Sequence, residues 1–214
     1  MTTDATSAVL PDAIYSGLRS AIIRQTIAPG ESVTESAIAL RFGVARPTAK
    51  TAIERLVSDG LLRREKHQTA RVPRLSRADI VDLFDSRAVV ESAAVGVLAL
   101  SGGLPAAALT AHRALLTDTI DFATHDIDFH RALVAAQPSP RLARMHALLM
   151  GEIELCIGQV QAAHLLTAAE VGAQHQGILD AVTAGDSDRA ARLTREHIAG
   201  SRDRLISHFD STPL

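Results

Sequence analysis

Gly43, placed between two short amphipathic stretches, constrains this chain more than any other residue: 34–62, TESAIALRFGVARPTAKTAIERLVSDGLL, read as two helices joined by a tight turn. Thr34 is a cap for a first helix with Ile38, Ala39 and Phe42 on its apolar side, and Gly43 stands where a helix ends at positive φ. Val44 and Ala45 form the turn, and Pro47 suits the first turn of a second helix. Ala52, Ile53, Leu56 and Val57 share the buried side of that helix, while Thr48, Lys50, Thr51 and Arg55 lie opposite. A second helix that opens on Arg46, Thr48 and Lys50 has the form that enters a DNA major groove, its early residues meeting base edges and flanking cations holding phosphates.

Charge supports dividing the chain after this unit. Up to residue 75 there are eleven Lys/Arg against seven Asp/Glu, a net +4; beyond it there are eleven against seventeen, a net −6. A basic first third on an acidic body suits one part that meets a polyanion and another that does something else. The 214 residues allow two modest domains, and the scarcity of aromatics (3%, no Trp) beside abundant Ala, Leu and Arg favours helices over a sheet sandwich. No apolar run reaches membrane-spanning length and no cleavable leader is legible, so a cytoplasmic protein with no membrane partner is expected. The one cysteine, Cys156, cannot form an internal disulfide and is flanked by Ile153, Leu155 and Ile157, which implies packing.

The expected architecture is mainly α. Residues 1–10 are small and polar and read as disordered; 11–75 read as a winged helix-turn-helix of three helices and a small β-wing; 76–214 read as an antiparallel bundle of about six helices. Pro11 opens a helix with Ile14, Leu18, Ala21 and Ile22 on one face, stopped by Ala28-Pro29-Gly30. Leu61, Leu62 and Val72 around a basic middle suggest two short strands and a tip carrying His67. Ser76 is a plausible cap for the long helix that follows. Breaks at Ser101–Pro105, near Ala123-Thr124, at Gln137–Pro140, His164–Thr167 and Ala184–Asp186 divide the rest.

Asp126 and His130 stand four apart in a helical segment and so share a face. His175 and His197 lie in the last two expected helices amid apolar residues. Three imidazoles and a carboxylate suit a divalent ion of the Zn, Ni or Mn class with coordination positions left for other oxygens, although any single histidine is more commonly solvated or hydrogen-bonded. Arg87, four residues before Glu91, reads either as half of an intrahelical ion pair or as a guanidinium turned inward to take a carboxylate in a bidentate fork. A catalytic ion in a hydrolase or lyase acting on small organic acids, or an ion that is itself the signal, are the alternatives. Against the first stand the lack of an HExxH segment and the needlessness of residues 34–62 for an enzyme.

In order and spacing these stretches resemble the GntR family of bacterial transcription regulators, in the FadR-type branch with a C-terminal FCD ligand-binding domain. The resemblance covers about 11–210 and rests on IAPGESVTE, FGVARPTAKTAIERLVSDGLL, SRAVVESAA, DIDFHRAL and, most closely, HQGILDAVTAGDSDRAARLTREHI. It implies DNA contacts from Thr34, Ser36, Arg46, Thr48, Lys50 and His67, and metal ligation by Asp126, His130, His175 and His197. It further implies a homodimer on a palindromic double-stranded operator, and a small carboxylate effector bound at the metal with Arg87 as a second ionic contact. Departures cluster where DNA is read. Ala45 replaces a usual Ser, Pro47-Thr48 inverts Thr-Pro, Lys50 stands for Arg, and the wing KHQTARV lacks its glycine, with Thr69 in that place; in the bundle, Ser139 replaces an asparagine.

Overall fold

The computed structural model of the chain describes residues 5–117, 122–162 and 165–211. They fall into two compact units, Met1–Arg74 and Leu75–Leu214.

In the first unit, helix α1 (Ala5–Ile23) is followed by strand β1 (Ser32–Val33), helix α2 (Glu35–Phe42), helix α3 (Arg46–Ser58) and strand β2 (Ala70–Arg71). The helix-turn-helix forms for local reasons. The Thr34 side chain accepts the Ala37 N–H at 3.1 Å, and Gly43 takes a left-handed φ of 63°, so the backbone reverses without a Cβ penalty. Ile14, Leu18 and Ile22 of α1, Ile38 of α2 and Ala49, Ile53 and Leu56 of α3 are buried, with α3 packed against both α1 and α2.

Two expectations are corrected here. Helix α1 begins at Ala5, six residues ahead of Pro11, so 5–10 are helical rather than disordered; the missing proline N–H removes one bond of the ladder, and nothing in ATSAVL forces a stop. Residues 1–4 lie outside the described residues. The wing is also different. β2 pairs antiparallel with β1 (Ser32 opposite Arg71, Val33 opposite Ala70), and its link to the 61–63 segment is one isolated bridge, Arg63–Arg71. The reason is visible at Leu61 and Leu62: consecutive residues, both buried, lack strand alternation, and both N–H groups bond the Leu56 carbonyl (3.0 and 3.1 Å), which completes the end of α3.

Among the described residues the second unit has six helices: α4 (Arg77–Ser101), α5 (Ala106–Thr117), α6 (Phe122–Ala135), α7 (Pro140–Ala162), α8 (Ala168–Thr183) and α9 (Ser187–Ser211). α4 lies along α9, and α6 packs against both α5 and α7. Ser76 and Asp79 make a reciprocal capping box for α4, as do Thr167 and Glu170 for α8, and Gly102 ends α4 at φ 73°. α5 ends at Thr117 and α6 begins at Phe122, beside the division expected near Ala123-Thr124, and His164 is outside the described residues. Ser139 replaces the expected asparagine yet still caps α7, its Oγ accepting the Leu142 N–H at 3.3 Å. Cys156 is buried, and burial pushes its thiol up to about 12, so it stays a packing residue. No single helix among the described residues is long and apolar enough to cross a membrane.

Candidate functional site

On the first unit, Thr34, Ser36, Arg46, Lys50 and Thr51 are exposed, whereas Thr48 is half-buried. Ala45 supplies no side-chain cap to α3, so the helix starts without the hydroxyl bond that a serine would give. Arg46 reaches back to the Ser36 hydroxyl, and Lys50 lies 3.6 Å from Glu54. Exposed pairs of this kind are worth little and exchange readily for phosphate or base contacts. Arg55 differs from the rest of its expected set. Its guanidinium lies 2.6 Å from Asp12 and 4.0 Å from the Tyr15 ring centre, while the Tyr15 hydroxyl donates to Asp59 at 2.7 Å, so Arg55 ties α3 to α1. At the wing tip the left-handed residue is His67 (φ 64°), in a turn closed by the Gln68 N–H on the Glu65 carbonyl at 3.0 Å. His67 thus takes the conformation a glycine would adopt freely, and Thr69 does not.

In the second unit, Asp126 and His130 of α6, His175 of α8 and His197 of α9 converge, all buried, with one donor atom from each lying within 4.8 Å of the others. The Asp126 Oδ1 is 3.2 Å from His175 Nε2, 3.7 Å from His130 Nε2 and 3.9 Å from His197 Nε2, and the last two nitrogens are 3.1 Å apart. Donors at about 2.0–2.2 Å from one ion are separated by about 3.3–3.6 Å in a tetrahedron and about 3 Å at adjacent octahedral corners, which is the observed scale. His175 Nε2 and Asp126 Oδ2 are buried without a hydrogen-bond partner. Leaving such atoms unpaired is costly unless a further group completes them. The donor set therefore fits a divalent ion of borderline softness.

The imidazoles are oriented from behind. His197 Nδ1 is 2.7 Å from Gln174 Oε1, His130 Nδ1 lies 2.6 Å from Glu91 Oε2, and the His175 ring stacks on Phe129 at 3.9 Å between centres. Glu91 also accepts from Arg87 Nε at 2.9 Å and lies 2.8 Å from His146 Nε2. Arg87 is paired within its helix, as the first of its two readings has it, and is fully buried (0% exposed), with Nη1 and Nη2 unpartnered. His146 and Gln174 carried no sequence signal, since each is one polar residue in an otherwise ordinary helical stretch.

Electrostatics suit ligation at His175, His197 and Asp126. Burial lowers the His175 pKa to about 4 and holds His197 well below the usual range, with neighbouring imidazoles adding to the effect, so both are neutral at pH 7 as metal ligands must be. Burial opposes ionisation of Asp126, but His130 and His175 outweigh it and hold its carboxyl well below the usual range. Burial and Arg87 push His130 down, and Glu91 and Asp126 outweigh them to leave it raised. In the metal-free protein, His175 and His197 bind protons more readily unfolded than folded. Their contribution to stability is present above an unfolded pKa of about 6.5 and is lost as pH falls towards 4, while raised His130 opposes part of this. Thermal unfolding of the metal-free chain is expected at a lower temperature at pH 5 than at pH 7; an unchanged or higher midpoint at pH 5 would contradict the buried, neutral assignment.

Residues 10–72 match the family described as bacterial regulatory proteins, gntR family, and residues 82–200 match the FCD domain. The chain is 27% identical to the uncharacterized HTH-type transcriptional regulator BphR of Paraburkholderia xenovorans over 90% of this chain and 83% of that one. It is 26% identical to the HTH-type transcriptional repressor GlaR of Escherichia coli over 86% and 90% respectively. Among solved structures, a putative GntR regulator from Rhodococcus sp. RHA1 superposes with a TM-score of 0.76 at 25% identity, covering 92% of this chain and 97% of that one.

Proposed function

The chain belongs to the gntR family of bacterial regulatory proteins, in the branch that carries an FCD domain, and from that premise we propose that it is a metal-containing repressor controlled by a small organic acid. A DNA-binding transcription regulator, and no enzyme, is what both domains and their relatives indicate. The repressor sense follows relatives such as GlaR, whose name carries it.

The observation that supports the effector reading is the buried cluster of three Nε2 atoms and one carboxylate joined through Glu91 to the buried, half-satisfied guanidinium of Arg87. With the imidazoles deprotonated, as ligation requires, Asp126, Glu91 and Arg87 leave the cluster one unit negative. Bound there, a divalent ion would supply two positive charges and open positions for carboxylate or hydroxyl oxygens. Arg87 then offers Nη1 and Nη2 as the planar fork that suits a carboxylate. An effector changes operator affinity only by its difference in affinity between the DNA-competent and incompetent states. Arg87→Met is expected to keep full metal stoichiometry while weakening the response to a carboxylate effector at least tenfold in half-saturating concentration. An unchanged response in that variant would remove Arg87 from the effector site.

A palindromic operator requires a homodimer. Val89, Ala93, Val97 and Leu100 form an exposed apolar stripe along α4, with Val89 71% and Leu100 74% exposed, and this stripe is the surface we assign to pairing. Val97→Asp with Leu100→Glu is expected to give a monomer by light scattering with the metal site intact; a dimer of unchanged affinity would place the interface elsewhere.

A further inference from the structure

Glu91 brings together His130, Arg87 and His146, side chains of three different helices, beside the cluster. Its Oε2 lies 2.6 Å from His130 Nδ1, and its Oε1 takes the Arg87 Nε–H at 2.9 Å and lies 2.8 Å from His146 Nε2. These three partners come from α6, α4 and α7, and all four side chains are essentially buried. Glu91 Oε2 and His130 Nδ1 are both buried without an aligned hydrogen bond, and at 2.6 Å a small turn of the ring pairs them; a fully buried carboxylate is costly unless each oxygen is occupied.

We propose that Glu91 is the positioning residue of this centre: it holds the His130 proton on Nδ1, so that Nε2 faces Asp126 and His197 as a lone pair, and it holds Arg87 by Nε so that both Nη groups stay free for a ligand. The first half follows from imidazole chemistry. A neutral imidazole has one N–H and one lone pair, and an acceptor at Nδ1 fixes which nitrogen can ligate. The second follows from the guanidinium fork. Engagement at Nε alone leaves the terminal edge unpaired, which is what Nη1 and Nη2 show. Because one carboxylate does both, the cation site and the anion site share a support. Binding at either is then linked to the other, and the linkage is reciprocal. His146 braces the same oxygen that takes Arg87, so its loss should weaken the anion side more than the cation side.

This inference rests on the metal-centre reading and is tested separately from it. Zn²⁺ affinity of the full-length chain is measured by competition with a chromogenic chelator for the wild type, Glu91→Gln and Glu91→Met. Gln keeps an acceptor for His130 Nδ1; Met is close in shape and has none. Glu91→Met is expected to weaken Zn²⁺ binding about 10- to 100-fold, the range for lost outer-shell carboxylates, and Glu91→Gln less than about threefold. The same pair in an Arg87→Met background, where no guanidinium is left uncompensated, keeps the comparison should Glu91→Met alone fail to fold. Equal affinities for Gln and Met variants, whether both intact or both weakened, would overturn the proposal, because a purely structural role does not distinguish them. A wild-type chain without Zn²⁺ binding would sink the metal-centre reading itself.

Discussion

His175→Ala is expected to abolish stoichiometric metal binding while leaving the helical content of the metal-free protein intact. His175 contributes the nitrogen nearest to Asp126 Oδ1, at 3.2 Å, and that nitrogen has no hydrogen-bond partner of its own. A structural zinc site is worth about 10–16 kcal/mol in all, so losing one of four donors corresponds to roughly a hundred- to thousandfold weaker binding. The same substitution removes a buried imidazole from its stack on Phe129, which costs packing and relieves the burden of burying two unpaired nitrogens. These effects oppose each other, so the metal-free fold survives. Metal content measured on purified protein, beside circular dichroism, separates the outcomes: full stoichiometry in the variant would remove His175 from the centre.

Arg46→Ala is expected to weaken operator binding by about 1–3 kcal/mol, roughly 5- to 150-fold, and to relax preference at one base pair. Arg46 opens α3, is exposed, and is engaged only by the Ser36 hydroxyl, a contact DNA can replace. Arg55→Ala serves as the contrast. Because Arg55 is held by Asp12 and Tyr15, its loss should lower the stability of the DNA-binding unit without altering which base is preferred. If Arg46→Ala leaves affinity and base preference unchanged, the recognition helix is read at other positions. Lys50 adds a further expectation of register: it lacks the planar fork of arginine, so discrimination at its base pair should be shallower.

Much of this was legible because local rules set it. Thr34, Gly43, Ser76 and Gly102 act where their own chemistry acts, at helix ends, and each boundary is where a cap or a left-handed glycine belongs. The candidate donors Asp126 and His130 are legible as a pair at i and i+4. His175 and His197 are legible as histidines amid apolar residues, and the resemblance strengthens their grouping with that pair, because nothing local brings α8 and α9 to α6. The wing misled because Leu61 and Leu62 look like strand residues, while the carbonyl of Leu56 captures both their N–H groups. The sequence puts the missing wing glycine at Thr69, but the left-handed residue is His67, a turn detail that only the backbone reveals. Glu91 stood in the sequence as an ion-pair partner four residues from Arg87; its reach to His130 and His146 depends on three helices meeting. Long-range convergence of this kind is set by packing, and periodicity within one helix carries no trace of it.

We propose that the cluster of Asp126, His130, His175 and His197 receives the signal that residues 34–62 turn into a change of DNA binding. The most direct measurement is operator affinity of the full-length chain, on DNA selected from random sequence, titrated with a panel of small hydroxy- and dicarboxylates in Zn²⁺-loaded and chelator-stripped protein. At least one carboxylate is expected to shift operator affinity tenfold or more in the loaded protein and to have no effect on the stripped one. The same shift with and without metal, or no shift from any carboxylate while Zn²⁺ alone changes affinity, would contradict it.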